Sequence, residues 1–425
     1  MAGMTIQSMQ DVMNTLQEYY ISSGIPAIGT GFRIENTYAI AERVGSPHER
    51  LKVVHVAGTS GKTSTSYYLA ALLRGSGVRV GLTVSPHIEA INDRVQLDGV
   101  PISNEKFVGY FAEYLPLATD NFRYKPSFFE LMMVFALWVF DRENVDYAVV
   151  ETGMGGLYDS SNICRRGNKV CVLTDIGFDH THVLGNTLEE IAVQKAGIIA
   201  DTNAIFIYRQ PEAIMGVVNS AISQHNASVY TLDGQSDESY FERNFRLAKR
   251  AIEFIVTRDA LPALTPAIIQ TARQTRIPGR LEEIRVGNTM FVLDGAHNEQ
   301  KMRMMLATLQ KTYGDTTWDV IVALKHGKDI QLAVNMLQAR ASSITATEYT
   351  QSQDMPVSPV RAVDLAKLFL RDGSPLPVRS EPDLITALKY SMAHRQSRVL
   401  ITGSFYAVSE ARAWLIQHKH GIVEA

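Results

Sequence analysis

The chain has 425 residues, 46% hydrophobic and 20% charged, with a net charge of −3 and a pI of about 6.4. That is the composition of a globular protein of two or three domains, without the basic excess of a nucleic-acid binder or the charge blocks of a solvated tail. The two cysteines, Cys164 and Cys171, form no C-x-x-C pair, which argues against a cysteine-based zinc site and fits a reducing, cytoplasmic setting.

In chain order, "MAGMTIQSMQDVMNTLQEYY" lacks the basic start and apolar centre of a signal peptide. "LKVVHVAG" then predicts a strand and "TSTSYYLAALLRGSG" a helix. Between them lies "GTSGKT", a short relative of the phosphate loop G-x-x-x-x-G-K-S/T, in which Val56 occupies the place of the usual first glycine. Gly58 and Gly61 allow backbone N–H groups to face phosphate oxygens, Lys62 has the reach for the terminal phosphates, and Thr63 or Ser64 suits Mg²⁺. The bland alternative is a glycine turn with a solvated lysine.

"VRVGLTV" is the next strand. The apolar run "LMMVFALWVF", Leu131 to Phe140, is flanked by Glu130 and Asp141; it is too short for a bilayer, which needs about 20 residues, and reads as a buried helix. "VDYAVVE" ends on Glu151, with glycines directly after it. A carboxylate at the carboxyl end of a parallel strand faces the ligand edge of such a sheet and suits Mg²⁺; otherwise it is a surface glutamate. "KVCVLTDI" leads to Asp175, then His180 and His182. His182 reads as structural, whereas His180 is open between a structural role and a metal or phosphate ligand.

"TLEEIAVQKAGII" predicts a helix with Thr187 as cap and Glu190 three positions on. Lys195 falls on its apolar stripe, among Ile191, Ala192, Ile198 and Ile199, with no acid at helical spacing. Burial there disfavours the ammonium and favours a neutral amine, nucleophilic even toward CO₂. Alternatively the stem lies on the stripe and the head reaches water. "NAIFIY" and "ASVYTL" complete the first set of strands.

The βα rhythm predicts an α/β fold, its N-terminal part a P-loop ATPase domain with a mostly parallel sheet. Pro278-Gly279 in "RQTRIPGRLEEI" breaks the chain, giving an ATP-binding domain at 1–278 and a smaller Rossmann-like α/β domain at 279–425. The latter contains "TMFVLDG", "KMRMMLATLQKTYG", "WDVIVAL", "QLAVNMLQARA", "SITATEY", "RAVDLAKLFLRDG" and "SRVLITG". Arg280 lies at the junction, Asp294, His297 and Asn298 follow one strand, and Ser404 follows another. Each alone reads equally as a loop residue; together they suggest a site completed by closure of the second domain.

"HVAGTSGKTST", "VSPHIEAINDRVQLDGVPIS", "FFELM", "AVVETGMGGLYDSSN", "DIGFDHTHVLGNTLEEIAVQKAGII", "PGRLE", "LDGAHN" and "ITGSFY" occur in the order found in one family. The chain resembles folylpolyglutamate synthases and dihydrofolate synthases, within the Mur ligase superfamily, over nearly its whole length. The resemblance implies ATP-dependent amide formation: a substrate carboxylate takes the γ-phosphoryl group, and the amino group of glutamate attacks the acyl phosphate. It further implies that Gly58, Thr59, Ser60, Gly61, Lys62, Thr63 and Ser64 hold ATP, with Asn244, Arg280 and Asp294 also at the nucleotide. Ser85, Glu151, His180 and a carbamylated Lys195 are the implied Mg²⁺ set, two ions in all, with K⁺ as a further cofactor. His297 and Ser404 match positions linked to the incoming glutamate, and Lys62, Lys195 and His297 are the implied catalytic groups. The implied partners are dihydropteroate or a reduced folate and L-glutamate, with no nucleic acid and no membrane, for a cytoplasmic monomer.

This chain departs from the family pattern at Thr63, where glycine is usual, at Leu157-Tyr158, where an Arg-Leu pair is common, at Phe245, usually alanine, and at Glu299, usually proline. Two other readings compete. A peptidoglycan Mur ligase carries a nucleotide-sugar domain before its loop, and only 57 residues precede Gly58. A nucleotide switch needs neither Lys195 on an apolar stripe nor a second-domain "DGAHN".

Overall fold

The computed structural model describes residues 6–20, 34–120, 125–235, 238–326, 330–350, 358–370, 376–394 and 397–419. Met1–Thr5, at the start of the segment read for a signal peptide, and Arg371–Gly373, at the end of "RAVDLAKLFLRDG", lie outside them. The chain forms two compact units: one comprises Met1–His87 and Ile91–Thr275, the other Ile88–Ala90 and Arg276–Ala425.

The first unit is built on strands β1 (Lys52–Ala57), β2 (Val80–Thr83), β3 (Gln96–Leu97), β4 (Val100–Pro101), β5 (Tyr147–Glu151), β6 (Val170–Leu173), β7 (Ala204–Tyr208) and β8 (Ser228–Leu232). They make one eight-stranded sheet in the order β4-β3-β2-β5-β1-β6-β7-β8. β2, β5, β1, β6, β7 and β8 run parallel, while β3 and β4 are antiparallel additions at one edge. β1, β5, β6 and β7 are buried and almost wholly apolar, as a sheet covered on both faces requires. One cover centres on the helix Phe128–Arg142, whose Leu131–Phe140 run is entirely buried. Another uses Leu188–Ala196 and Glu212–Gln224. β8 is the exception: its side chains are largely exposed because it is an edge strand.

After β1 the chain crosses to β2 on one side, and after β5 it crosses to β6 on the other, so strand order reverses at β1. The carboxyl end of the strand at such a reversal is where an open α/β sheet makes its ligand crevice.

The second unit holds β9 (Glu282–Val286), β10 (Thr289–Asp294), β11 (Trp318–Val322), β12 (Ala341–Ala346), β13 (Val378–Ser380) and β14 (Arg398–Thr402). Their order is β13-β12-β11-β14-β10-β9, parallel apart from β9. Helices Glu299–Tyr313, Ile330–Gln338 and Ala362–Phe369 pack on one face, Leu384–Ala393 and Phe405–His418 on the other. β10 and β14 lie side by side, with Asp294 level with Thr402, so the loops that follow them are neighbours. Among the described residues no helix is long and apolar enough to cross a membrane.

Candidate active site

The loop after β1 is shaped by two glycines. Gly58 has φ +151°, and a Cβ there would sit 1.8 Å from Thr174 Oγ1. Gly61 has φ +85° and caps the helix Lys62–Gly75 with no side-chain hydrogen bond. The first-turn N–H groups of a helix have no intrahelical acceptor, so with no capping side chain this end is suited to phosphate. The N–H groups of Thr59 and Ser60 are engaged: they donate to the Asp175 carbonyl at 2.8 and 3.3 Å. The Thr59 hydroxyl also donates to the Gly177 carbonyl (2.8 Å). Thr59 and Ser60 therefore brace the loop against the end of β6, and the amides from Lys62 through Ser64 face the anion-binding end.

Lys62 Nζ and Lys195 Nζ donate to the same acceptor, the Gly58 carbonyl, at 3.0 and 2.7 Å. Lys195 is 3% exposed, so its head turns inward to the loop rather than out to water. Its helix has the expected capping box from Thr187 and Glu190 but ends at Ala196. The extension of the stripe to Ile198 and Ile199 is thus corrected: both are buried but lie beyond the helix. Gly197 closes it, and a Cβ there would meet Leu157 at 2.4 Å. The glycine-rich turn after β5 packs against this helix end, with Leu157 N–H donating to the Gln194 carbonyl (2.7 Å) and the Asn162 amide donating to the carbonyls of Leu157 and Gly197 (each 3.0 Å).

Glu151 ends β5 and is 1% exposed. Its Oε1 accepts from Thr63 Oγ1 (2.9 Å) and its Oε2 from Ser85 N–H (3.3 Å). A buried carboxylate beside the Thr63 hydroxyl is a hard-oxygen donor pair, which fits Mg²⁺; the Ser85 hydroxyl, on the residue whose N–H meets Glu151, accepts from Arg94 Nη1 (3.4 Å). His180 is half-buried with a left-handed backbone (φ 47°), its Nε2 3.8 Å from Asp179 Oδ1. Among the described residues no three His, Cys, Asp or Glu side chains form a metal-holding cluster; of the predicted set only Glu151 and His180 belong to those types. Asn244 is buried and lies against Gly61, and its Nδ2 has no hydrogen-bond partner. An orphaned buried amide beside a phosphate loop fits a ligand's acceptor atom.

Sequence reasoning missed Arg243 and Asp159. Arg243 stacks on Tyr208 with its guanidinium carbon 3.8 Å from the ring centroid and pairs with Asp175 at 2.7 Å. It thereby fixes the residue whose carbonyl holds Thr59 and Ser60; Asp175 at a strand end was the available signal. Asp159 accepts from Met154 N–H and Ser161 N–H (each 2.9 Å) and shapes the turn after β5, with burial raising its carboxyl above the ordinary value. Arg94 Nε donates to His87 Nδ1 (3.0 Å), and burial, then Arg94, holds that imidazole well below its ordinary value and so neutral.

In the second unit, Asp294 Oδ1 accepts from Ala296 N–H (2.9 Å) and Oδ2 from Leu281 N–H (3.0 Å), which ties the β10 loop to the segment carrying Arg280. The Arg280 guanidinium carbon lies 4.2 Å from the Phe405 ring centroid. His297 Nδ1–H donates to the Gly295 carbonyl (2.8 Å), leaving Nε2 toward Lys301 Nζ at 3.3 Å. Ser404 caps the helix Phe405–His418 by accepting from Tyr406 N–H (3.2 Å), and Gly403 N–H donates to the Ala296 carbonyl (3.1 Å). The candidate residues thus fall into two sets. Gly58–Ser64, Ser85, Glu151, His180, Lys195 and Asn244 lie in the first unit; Arg280, Asp294, His297 and Ser404 lie in the second.

Of the departures, Thr63 is the hydroxyl on Glu151. Phe245 is buried against Tyr68 (centroids 5.2 Å apart). Tyr158 is exposed. Glu299 pairs with Arg303 four residues on (2.7 Å).

A glycine-shaped loop at the reversal of a parallel sheet, with lysine and buried carboxylate beside it, defines a P-loop nucleotide-dependent enzyme. Comparison with known proteins narrows the class. Residues 56–261 match the Mur ligase middle domain and residues 279–413 the dihydrofolate synthetase C-terminal domain. The dihydrofolate synthase/folylpolyglutamate synthase of Bacillus subtilis is 30% identical over 408 residues, covering 87% of this chain and 92% of that protein. The Escherichia coli FolC structure, in complex with DHPP and ADP, superposes with a TM-score of 0.81 at 21% identity, covering 98% of this chain and 99% of that one. The bifunctional folylpolyglutamate synthase/dihydrofolate synthase of Yersinia pestis, complexed with AMPPNP and Mn ion, gives 0.79 at 23% identity, covering 98% and 100%. At those identities the two structures establish the fold. The chain belongs to the folylpolyglutamate synthase/dihydrofolate synthase family of ATP-dependent ligases, which sets aside the peptidoglycan-ligase and nucleotide-switch readings.

Proposed function

We propose that this protein joins L-glutamate to the carboxylate of a pterin-type acceptor, dihydropteroate or a reduced folate, at the expense of ATP. The observation that carries this reading is the convergence of Lys62 and Lys195 on the Gly58 carbonyl, close by a helix start with no capping side chain. Residues 1–278 form the ATP-binding domain in this reading and residues 279–425 the glutamate-ligase domain. The amides of the Lys62–Gly75 helix start and the Lys62 ammonium bind the terminal phosphates and stabilise charge on the transferring phosphoryl group. Asn244 contacts the nucleotide from the first unit, and Arg280 and Asp294 belong to the nucleotide-contacting set in the second.

The acceptor carboxylate attacks the γ-phosphorus, ADP leaves, and the acyl phosphate holds the activated carbonyl. The glutamate amine then attacks that carbonyl, loses a proton, and phosphate departs. His297, with Nε2 as its acceptor atom, and Ser404 orient the amino acid.

Ser85, Glu151, His180 and Lys195 would hold Mg²⁺, which supplies neutralisation of phosphate charge when bound. The Lys62 and Lys195 heads share the Gly58 carbonyl. Conversion of the Lys195 amine by CO₂ to a carbamate, with release of a proton, would put an anion near the Lys62 head and add a carboxylate to the proposed Mg²⁺ set. Phosphate release with ATP, Mg²⁺ and glutamate, comparing dihydropteroate with tetrahydrofolate, tests the reading. Release that requires both an acceptor and glutamate is expected, and release indifferent to both would overturn it. Lys195→Ala should lose most activity while remaining folded, with partial recovery in acetate.

A further inference from the structure

Tyr349 lies just beyond β12, at the carboxyl edge of the second unit's sheet. It is 4% exposed, and its hydroxyl has no hydrogen-bond partner. A buried hydroxyl left unsatisfied costs stability that phenylalanine would avoid, so its presence calls for an explanation. The ring packs on Tyr406 with centroids 5.1 Å apart. The next residue is pinned to the same helix: Thr350 N–H and Oγ1 donate to Glu410 Oε2 at 2.9 and 3.1 Å. The phenol is thereby held at the amino-terminal end of the 14-residue helix Phe405–His418, beside the turn whose cap is Ser404. Burial pushes the phenol up to about 12, so it stays protonated and able to donate.

Ser404 Oγ already accepts from Tyr406 N–H. Its own proton has three staggered directions to choose from. A donor from Tyr349 to the remaining lone pair leaves that proton for an outside acceptor, at a helix end that favours negative charge.

We propose that Tyr349 is a positioning residue for the amino-acid substrate: its phenol orients the Ser404 hydroxyl to receive a carboxylate oxygen of that substrate. The inference rests on the glutamate-ligase reading above, and the experiment separates the two. Wild-type enzyme is first assayed for ADP release with acceptor and L-glutamate, and with other L-amino acids. Tyr349→Phe is then compared on the amino acid that is used. The expected result is a KM for that amino acid raised about tenfold, as loss of a hydrogen bond serving a charged group implies. The kcat, the KM for ATP and the KM for the acceptor stay within about twofold, and Tm is unchanged or higher. In a Ser404→Ala background the same change adds nothing, because Tyr349 acts through Ser404. An unchanged amino-acid KM, or a parallel loss of kcat and Tm, overturns the inference while the ligase reading stands. A wild-type enzyme that consumes no amino acid overturns the ligase reading itself, and the inference with it.

Discussion

Replacing Thr63 by valine keeps the shape of the side chain and removes one donor from a buried carboxylate. Thr63 Oγ1 lies 2.9 Å from Glu151 Oε1, with the two residues 8% and 1% exposed. A hydrogen bond to a charged group amounts to about 1.5–3 kcal/mol. The new methyl returns roughly 0.8 kcal/mol of apolar burial, so the net loss is about 1–2 kcal/mol. Urea unfolding of the first unit, without metal or nucleotide, should show that loss as a lower midpoint with unchanged slope. If Glu151 takes the cation as proposed, the gap should narrow with Mg²⁺ and ADP, the cation replacing the missing donor. A valine variant as stable as wild type in the absence of metal would show that Glu151 has no need of that hydroxyl.

Gly156→Ala places a Cβ 2.7 Å from the Gln194 carbonyl oxygen and 3.1 Å from that of Lys195; overpacking of this kind costs about 1–3 kcal/mol, and displacement of the Lys195 helix should lower turnover as well. Gly216→Ala, inside the helix Glu212–Gln224 with nothing within 4 Å, is the control and should raise stability by up to about 1 kcal/mol. His55 is fully buried on β1, with burial, then Lys169 and Arg165, holding it well below its ordinary value of 6.5. Below that pH the unfolded histidine takes a proton that the folded one refuses, so stability falls as pH falls, by up to about 1.4 kcal/mol per pH unit until the folded group titrates. Urea titrations from pH 8 to 5 should show a shallower slope for His55→Gln than for wild type; identical slopes would contradict the assignment.

Local chemistry made much of this protein legible in its sequence. A phosphate loop needs its glycines, lysine and hydroxyls in contiguous order between strand and helix, and Glu151 declared itself by closing an apolar strand. The capping box of Thr187 and Glu190 and the buried run Leu131–Phe140 are likewise short-range patterns. Relations across long stretches of chain were not legible. No spacing indicates that Lys195 meets the Gly58 carbonyl 137 residues away, or that Arg243 clamps Asp175. The helix ending at Ala196 was hidden because Ile198 and Ile199 continue the apolar pattern, while Gly197 and its contact with Leu157 stop the helix. The β3–β4 hairpin has only two residues in each strand, too few for a periodicity; its one signal was Asp98-Gly99, both with positive φ. Tyr349 gave no signal, because an unsatisfied hydroxyl exists only once the chain has packed around it.

In the proposed reaction the acceptor's own carboxylate takes the γ-phosphoryl group before the amine arrives. An acceptor labelled with ¹⁸O in that carboxylate, turned over with ATP, Mg²⁺ and L-glutamate, tests it through the mass of the phosphate released. Attack on the γ-phosphorus forms a bond from one carboxylate oxygen to phosphorus, and attack by the amine then breaks the bond from carbon to that same oxygen. One ¹⁸O in each phosphate released, in step with amide formed, is expected. Phosphate without ¹⁸O, or carrying oxygen from solvent water, would contradict it.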